Sequence, residues 1–169
     1  KPNGDMRRKM STEIQEEYCP FYDRFTIKEH LTFYTENELA KLARLNAQRS
    51  GFSMNDDTAY QIAVRSKGTP RILNARLEWY QNYKLYFKDD SVSVEEVFAE
   101  QGIDSSGLDE NDRKYMEVLK DNKGTALGIK NISSMTGIAM DTIENSIEPY
   151  LVRMGYVRRT SKGRILGKY

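Results

Sequence analysis

The chain has 169 residues, with 26 Lys and Arg against 25 Asp and Glu, and a formal net charge of +1. This total excludes a uniformly basic or acidic protein, so any charged partner must be inferred from where the charges lie along the chain. Hydrophobic residues make up 38% of the sequence and aromatic residues 11%, which excludes wholesale disorder. We expect a folded chain with one domain or two small ones.

Membrane, secretion and metal signals are missing from the sequence. No apolar run approaches the roughly 20 residues of a membrane span, and the first five residues lack the apolar core of a secretion signal. A lone Cys19 and a lone His30 form neither an internal disulfide nor a Cys/His metal site. These features predict a cytoplasmic protein without a metal site or a membrane contact.

The first regular pattern is a short alternation of apolar and polar residues. Residues 1–18 show no sustained period and receive no assignment. An extended segment follows, on which every second position is apolar with one slip: Phe25, Ile27, Leu31 and Phe33.

Two helices are predicted next. Thr35 with Glu38 forms a capping box, and Ser50-Gly51 ends the first helix. A second helix is predicted over about 55–66, with its apolar side turned inward.

Two further helices complete a small four-helix unit. Thr69 suits the N-cap of a third helix and Pro70 its first position, where the missing N–H of proline would be unpaired anyway. Ser93 with Glu96 is a second capping box, and Gly102 closes the short fourth helix.

The sequence from Asp104 to Gly107, Asp-Ser-Ser-Gly, is the best linker candidate in the chain. Three helices are predicted after it. Asp109 caps the first, the second runs near residues 130–135, and Asp141 with Glu144 caps the third.

Two short strand-like runs, Tyr156 to Arg159 and Gly163 to Leu166, follow around a tight turn. Three helices and then a basic hairpin is the order of a winged helix-turn-helix. The predicted fold is therefore mainly α, a four-helix domain followed by a winged helix with a short β-hairpin.

The last 17 residues form a basic patch. They contain no acid and six cations: Arg153, Arg158, Arg159, Lys162, Arg164 and Lys168. Cations on a narrow hairpin can contact DNA phosphates, which gives affinity with little base specificity. The alternative is a hairpin whose charges only solvate it and protect its exposed edges.

The third helix of this region argues against deep reading of the DNA major groove. Its polar side is predicted to carry Glu144, Asn145 and Glu148, and carboxylates repel phosphates. We therefore expect sequence-tolerant binding led by the hairpin. Pro149 is expected either to kink this helix or to serve its packing.

Arg71 is a second candidate site. A cation in the first turn of a helix opposes the helix dipole and costs about 0.3–1 kcal/mol when exposed, so it suggests an anionic ligand. The alternative is an arginine that pairs with a carboxylate or lies along the surface. The sequence contains no phosphate-binding loop of the form G-x-x-x-x-G-K-[ST], so this chain should not hydrolyse a nucleotide by itself.

Several segments, in this order and with similar spacing, resemble the RuvB family. They are Pro20 to Phe25, Leu31 to Tyr34 with Glu38 to Ala40, Arg65 to Ile72, Gly107 to Arg113, Asp141 to Glu144 with Glu148 to Leu151, and Arg159 to Arg164. Members of this family are AAA+ ATPases that drive Holliday-junction branch migration. The resemblance covers residues 11–169.

The resemblance implies three regions and several roles. Residues 1–34 would be the end of the large AAA+ ATPase domain or a linker, 35–104 the helical lid, and 105–169 a winged-helix DNA-binding domain. By motif, Arg71, after Pro70, would sense the nucleotide phosphates. The DNA-binding residues would be Arg159, Arg164 and Lys162, with Arg158 and Arg153 beside them.

One position departs from the family pattern. Glu13 stands where the family carries its arginine finger, and a carboxylate there would repel a neighbour's terminal phosphate. No catalytic residue is therefore expected in this chain.

The resemblance implies ATP with Mg²⁺ as cofactor of the intact protein and none for this chain alone. The implied partners are double-stranded DNA, four-way junctions and a junction-binding RuvA-like protein, with a homo-oligomeric ring if the large domain is present. The expected function is the C-terminal part of a branch-migration helicase. The alternative is a non-catalytic winged-helix adaptor that binds a protein partner.

Overall fold

The computed structural model describes Arg24, Ile27, Glu29 and residues 32–88, 92–122 and 124–167. Most of the predicted extended segment, together with Glu13, Cys19, His30 and Lys168, lies outside these residues. The chain from Phe33 onward forms one compact unit. Within the described residues, no helix combines the length and the apolar character needed to cross a membrane.

Four helices come first, and they begin where local capping signals place them. They are α1 (Glu36–Arg49), α2 (Asp56–Val64), α3 (Pro70–Phe87) and α4 (Val94–Ala99). Both predicted capping boxes form, Thr35 with Glu38 and Ser93 with Glu96. In each box the hydroxyl accepts from one unpaired N–H and the carboxylate from another, which fixes the first turn.

The four helices enclose one apolar core. It is built from alanines where the helices approach closely and from larger side chains elsewhere: Leu39, Ala43, Ala47, Ala59, Ile62, Ala63, Leu73, Leu77, Tyr80, Val97 and Phe98. Each fully buried leucine or isoleucine stabilises the fold by about 1.5–3 kcal/mol relative to exposure. The predicted four-helix unit is confirmed.

The start of α3 was predicted correctly, but not the role of the Thr69 hydroxyl. Thr69 is the N-cap and Pro70 the first helical residue, yet no side-chain capping bond forms. The hydroxyl instead donates to the carbonyl of Lys67 at 3.3 Å. Lys67 has a left-handed backbone, with φ of 52°, and this turn brings its carbonyl within reach of Thr69.

The predicted linker is a packed turn. Asp104 Oδ1 accepts from the backbone N–H groups of Ser106 and Leu108, both at 2.9 Å. Gly107 has φ of 81°, and a Cβ there would lie 2.8 Å from the Cα of Arg65. Only glycine fits this approach, so the segment joins two cores without acting as a free tether.

The second half contains three helical segments and a hairpin. These are α5 (Glu110–Asp121), α6 (Ile129–Thr136) and α7, which runs through Met140–Thr142, Ile143–Ile147 and Glu148–Arg153. The hairpin pairs β1 (Val157–Thr160) with β2 (Gly163–Leu166) in antiparallel register. The predicted capping of α5 by Asp109 forms, and the fold class, mainly α with a winged helix, is confirmed.

The second core lies between these three helices and the hairpin. Its buried side chains come from the three helices, from β1 and from the segments that connect these elements: Leu108, Tyr115, Leu119, Leu127, Ile132, Ile143, Ile147, Tyr150, Leu151 and Val157. Val157 is the buried position of β1, so the hairpin is held against the helices at its base and projects from there.

The predicted capping of α7 by Asp141 and Glu144 is wrong. The N-cap is Ala139, two residues earlier, because the carbonyl of Ala139 already accepts from Ile143 N at 3.0 Å. No side chain caps this end of the helix. Asp141 therefore lies inside the first turn.

Pro149 is accommodated by a wide turn of α7. Residues Ile143–Ile147 are π-helical, and the N–H of Glu148 donates to the carbonyl of Ile143. Proline removes one N–H, and its ring would clash with the carbonyl four residues earlier in a regular α-helix. The π-helical turn avoids that conflict and adds a residue to the turn, which changes the direction of every side chain after it.

Candidate functional site

The hairpin carries the predicted DNA-binding residues. We use the name wing for β1, β2 and the two-residue turn, Ser161–Lys162, that joins them. Arg158 and Lys162 are exposed on the wing, and neither side chain has a hydrogen-bond or ion-pair partner in the described part of the chain. Both cations are therefore available to an external anion.

Arg159 and Arg164 lie directly opposite each other across the wing. Opposed like charges destabilise a strand pair, so this register needs a counter-ion. Glu148 supplies it from α7: Oε2 accepts from Arg159 Nε at 2.7 Å and Oε1 from Arg164 Nε at 2.8 Å. The Glu148 side chain is fully buried, whereas that of Arg159 is 52% exposed.

Tyr115 completes the surroundings of this carboxylate. Its hydroxyl donates to Glu148 Oε1 at 2.8 Å. Burial and then the Glu148 charge raise the pKa of Tyr115, which keeps the hydroxyl protonated as a donor. Burial has the largest single effect and lowers the pKa of Arg164, but the hydrogen bond to Glu148 and the nearby negative charges together raise the pKa overall. Arg164 therefore stays charged although its side chain is only 17% exposed.

A backbone bridge fixes the base of the wing. Arg164 N donates to the carbonyl of Leu127 at 2.8 Å, and Leu127 N donates back to the carbonyl of Arg164 at 2.9 Å. Gly163 has φ of 136°, and a Cβ there would lie 2.6 Å from the carbonyl carbon of Leu127. Glycine is required here because the segment before α6 packs directly on the strand.

Arg153, a predicted DNA-binding residue, contacts the first half of the molecule. It donates to the carbonyl of Lys67 at 2.9 Å and stacks over the ring of Phe33 at 4.0 Å from the centroid. Its guanidinium thereby closes the turn before α3. A DNA contact of Arg153 stays a prediction.

The predicted phosphate sensor, Arg71, lies in the first turn of α3 directly after Pro70. That turn contains no acidic residue, and Arg71 is exposed without a hydrogen-bond or ion-pair partner among the described residues. It borders a cleft of about 640 Å³ that Pro149 and Tyr150 of α7 also line. The alternative of a carboxylate partner receives no support from this placement.

Glu148 is the functional candidate that sequence reasoning placed wrongly. The helical period predicts it on the polar side of α7, but the π-helical turn directs it into the core, where three side chains donate to it. The available signal was the hairpin itself. A two-residue turn pairs Arg159 with Arg164, and two facing cations require an anion beneath them.

Family models match nearly all of the described part of the chain. A model of the RuvB AAA lid domain matches residues 34–109, and a model of the RuvB C-terminal winged helix domain matches residues 105–169. The domain boundaries inferred from the sequence stay predictions.

Curated RuvB proteins match most of the chain. The Holliday junction branch migration complex subunit RuvB of Campylobacter hominis is 37% identical over 151 residues, which is 88% of this chain and 44% of the relative. The same subunit of Rubrobacter xylanophilus is 35% identical over 154 residues, 89% of this chain and 43% of the relative. The chain thus spans less than half the length of these relatives.

Solved structures give the same result. The RuvB Holliday junction branch migration motor of Thermotoga maritima matches with a TM-score of 0.80 and 32% identity, over 88% of this chain and 51% of that chain. The order of elements, the sequence identity and both domain models agree. The chain belongs to the RuvB family, of which it carries the lid and winged-helix domains.

Proposed function

We propose that this chain is the lid and winged-helix part of an ATP-driven branch-migration motor, and that its wing binds double-stranded DNA and four-way junctions with little dependence on sequence. The observation that carries the proposal is the wing, a narrow hairpin on which Arg158 and Lys162 are exposed and unpaired in the described residues. Such cations contact phosphates, which every DNA sequence presents alike.

The surroundings of the wing favour phosphate contact over base reading. Glu148 is buried and paired, so it does not face a DNA backbone, but Glu144 remains exposed on α7 and opposes deep entry of this helix into the major groove. The wing therefore makes the principal contacts, and salt weakens them by restoring counter-ions to the phosphates.

We expect the double variant Arg158→Gln with Lys162→Gln to weaken binding to duplex and junction DNA about tenfold, nearly equally across sequences. Each lost phosphate contact also lowers the slope of log affinity against log salt by about 0.9, so the slope should fall by up to about 2. Fluorescence anisotropy at several salt concentrations measures both quantities. Neither substitution touches the buried Glu148.

The matched control is Lys41→Gln with Arg49→Gln, which removes the same charge from exposed positions of α1. It should leave affinity and salt slope near those of the wild type. Equal binding by both double variants would contradict the wing as DNA contact. A protein adaptor, the alternative function, would show no salt-sensitive DNA binding in any variant.

The proposal for the lid is that Arg71 contacts the phosphates of ATP held by the large domain of the intact protein, with Pro70 fixing the start of α3. ATP with Mg²⁺ would supply the phosphoryl group for hydrolysis, and Arg71 would neutralise charge on it. A cation that is exposed in the first turn of a helix, and whose side chain has no partner among the described residues, suits this role. The intact protein would assemble as a ring and meet a junction-binding RuvA-like partner. The description of a relative as a subunit of a Holliday junction branch migration complex supports assembly with other subunits.

Fusion of this chain to the ATPase domain of the Campylobacter hominis relative tests the role of Arg71. Arg71→Ala should lower ATP hydrolysis at least about tenfold, because a charge that stabilises the transferring phosphoryl group is lost. DNA binding by the isolated chain should not change. Arg49→Ala on α1 is the control, and hydrolysis equal in the two variants would exclude the sensing role.

A further inference from the structure

The carboxylate of Glu148 uses both oxygens to hold the two facing arginines of the wing. Oε1 accepts from Tyr115 and from Arg164 Nε, while Oε2 accepts from Arg159 Nε and lies 2.6 Å from Arg159 Nη2. The donors come from α5, β1 and β2. One side chain of α7 thus connects α5 with both strands of the wing.

Stability alone is a weak reason for such a cluster. A buried ion pair can often be replaced by apolar residues without loss, because desolvation of the charges offsets their attraction. The hydrogen bonds made by the guanidinium nitrogens of the two arginines suggest another reason. Glu148 engages Nε of each arginine, and within the described residues no group accepts from either Nη1. Both arginines are thus held through Nε and Nη2, with Arg164 Nη2 also bonded to Glu144, and it is Nη1 of each that has no acceptor there.

An arginine fixed in this way is ready for an anion. A free arginine loses rotamer entropy when it is immobilised on a ligand, and a preformed contact avoids much of that loss. Arg159, Arg164 and Glu148 together carry a net charge of +1, which the exposed Glu144 offsets from 3.3 Å away.

We propose that Glu148 is a positioning residue, which aligns Arg159 and Arg164 for contact with two backbone phosphates of DNA. This inference rests on the DNA binding proposed above. It explains why a carboxylate lies buried beneath a DNA-binding surface, although its negative charge by itself would oppose DNA binding.

Glu148→Gln is the decisive variant because charge and position predict opposite results. Removal of a negative charge from beneath the wing should strengthen DNA binding if electrostatic attraction alone matters. Loss of alignment should weaken it, and we expect Kd to rise at least about fivefold. Glu144→Gln is the matched control: it removes the same charge from an exposed carboxylate 3.3 Å from Arg164 Nη2. Its Kd should be unchanged or lower.

The arginine side chains provide an independent readout. In the wild type, the Nε–H protons of Arg159 and Arg164 should give NMR signals that exchange slowly with water, since both are bonded to Glu148. In Glu148→Gln at least one should broaden or exchange fast, whereas in Glu144→Gln both should persist. A purely packing role of Glu148 predicts no such link between these signals and Kd.

If circular dichroism shows that Glu148→Gln does not fold, Tyr115→Phe tests the positioning role of Glu148 instead. It removes one donor to the carboxylate and alters no charge, so Kd should rise about threefold. A folded Glu148→Gln that binds DNA as tightly as the wild type overturns the inference, and so does an unchanged Kd of Tyr115→Phe when Glu148→Gln is unfolded. If the wild-type chain itself does not bind DNA, the proposed function fails and this inference with it.

Discussion

Lys67 and Asp112 form a buried ion pair between the two cores. Lys67 Nζ contacts Asp112 and also Asp109, the latter at 3.1 Å. Asp112 is fully buried, and burial raises the pKa of its carboxyl against the opposing effect of Lys67. Its Oδ1 atom has no partner among the described residues. The carboxylate therefore depends on Lys67 for compensation of its charge.

We expect Lys67→Met to lower the free energy of unfolding by about 3–5 kcal/mol, because it leaves the Asp112 charge buried and unpaired. Asp112→Asn should cost less, since Lys67 keeps Asp109. The double variant should be more stable than the sum of the single losses predicts, by about 1–3 kcal/mol. Urea denaturation of the four proteins measures this coupling.

The control for this cycle is the exposed pair Lys114 and Glu110, one turn apart on the same α5. Solvent screens both charges, so Lys114→Met and Glu110→Gln should be additive. Additivity of the Lys67 and Asp112 substitutions as well would show that the buried pair is not coupled.

At the scale of elements, the sequence predicts what local chemistry determines. The starts of α1, α4 and α5 follow from capping residues three positions apart, and the turn of the wing follows from its short polar connection. The start of α3 and the position of Arg71 in its first turn were likewise predicted from local signals. These signals act within a few residues and need no tertiary contact.

The parts that sequence reasoning missed depend on distant residues. The partners of the buried Glu148 are Tyr115, which lies 33 positions away, and the two arginines of the wing. Arg153 donates to a carbonyl 86 positions earlier. A helical period fitted to α7 alone assigns Glu148 to solvent, so this helix by itself does not identify Glu148 as the anion beneath the wing.

At the scale of the whole molecule, the turn around Gly107 joins the two cores into one unit. Arg76 Nη2 donates to the carbonyl of Gly107 at 3.3 Å, and the Tyr150 hydroxyl donates to that of Ser106 at 2.9 Å. Burial lowers the pKa of Arg76 to about 10, which is still charged at neutral pH. Bonds from α3 and α7 thus meet on one short segment, and the two cores should unfold together.

Gly107→Ala tests whether this turn makes the two cores unfold together. The wild type should melt in a single calorimetric transition whose enthalpy equals the van't Hoff enthalpy. A Cβ at Gly107 would lie 2.8 Å from Arg65 Cα and 2.9 Å from its carbonyl oxygen, so the turn must move away from α2 and break the bonds that it receives. The clash and the positive φ should together lower the free energy of unfolding by about 2–4 kcal/mol and separate the trace into two transitions.

Gly102→Ala is the matched control, because Gly102 has φ of 66° but its Cβ would meet only Arg113 Nη2 at an ordinary 3.6 Å. This variant carries the backbone strain without the clash, and it should lower Tm while keeping one transition. A single transition in Gly107→Ala, at the Tm of Gly102→Ala, would mean that the two cores are coupled through other contacts than this turn. Two transitions in Gly107→Ala alone would assign the coupling to the close approach of Gly107 to Arg65.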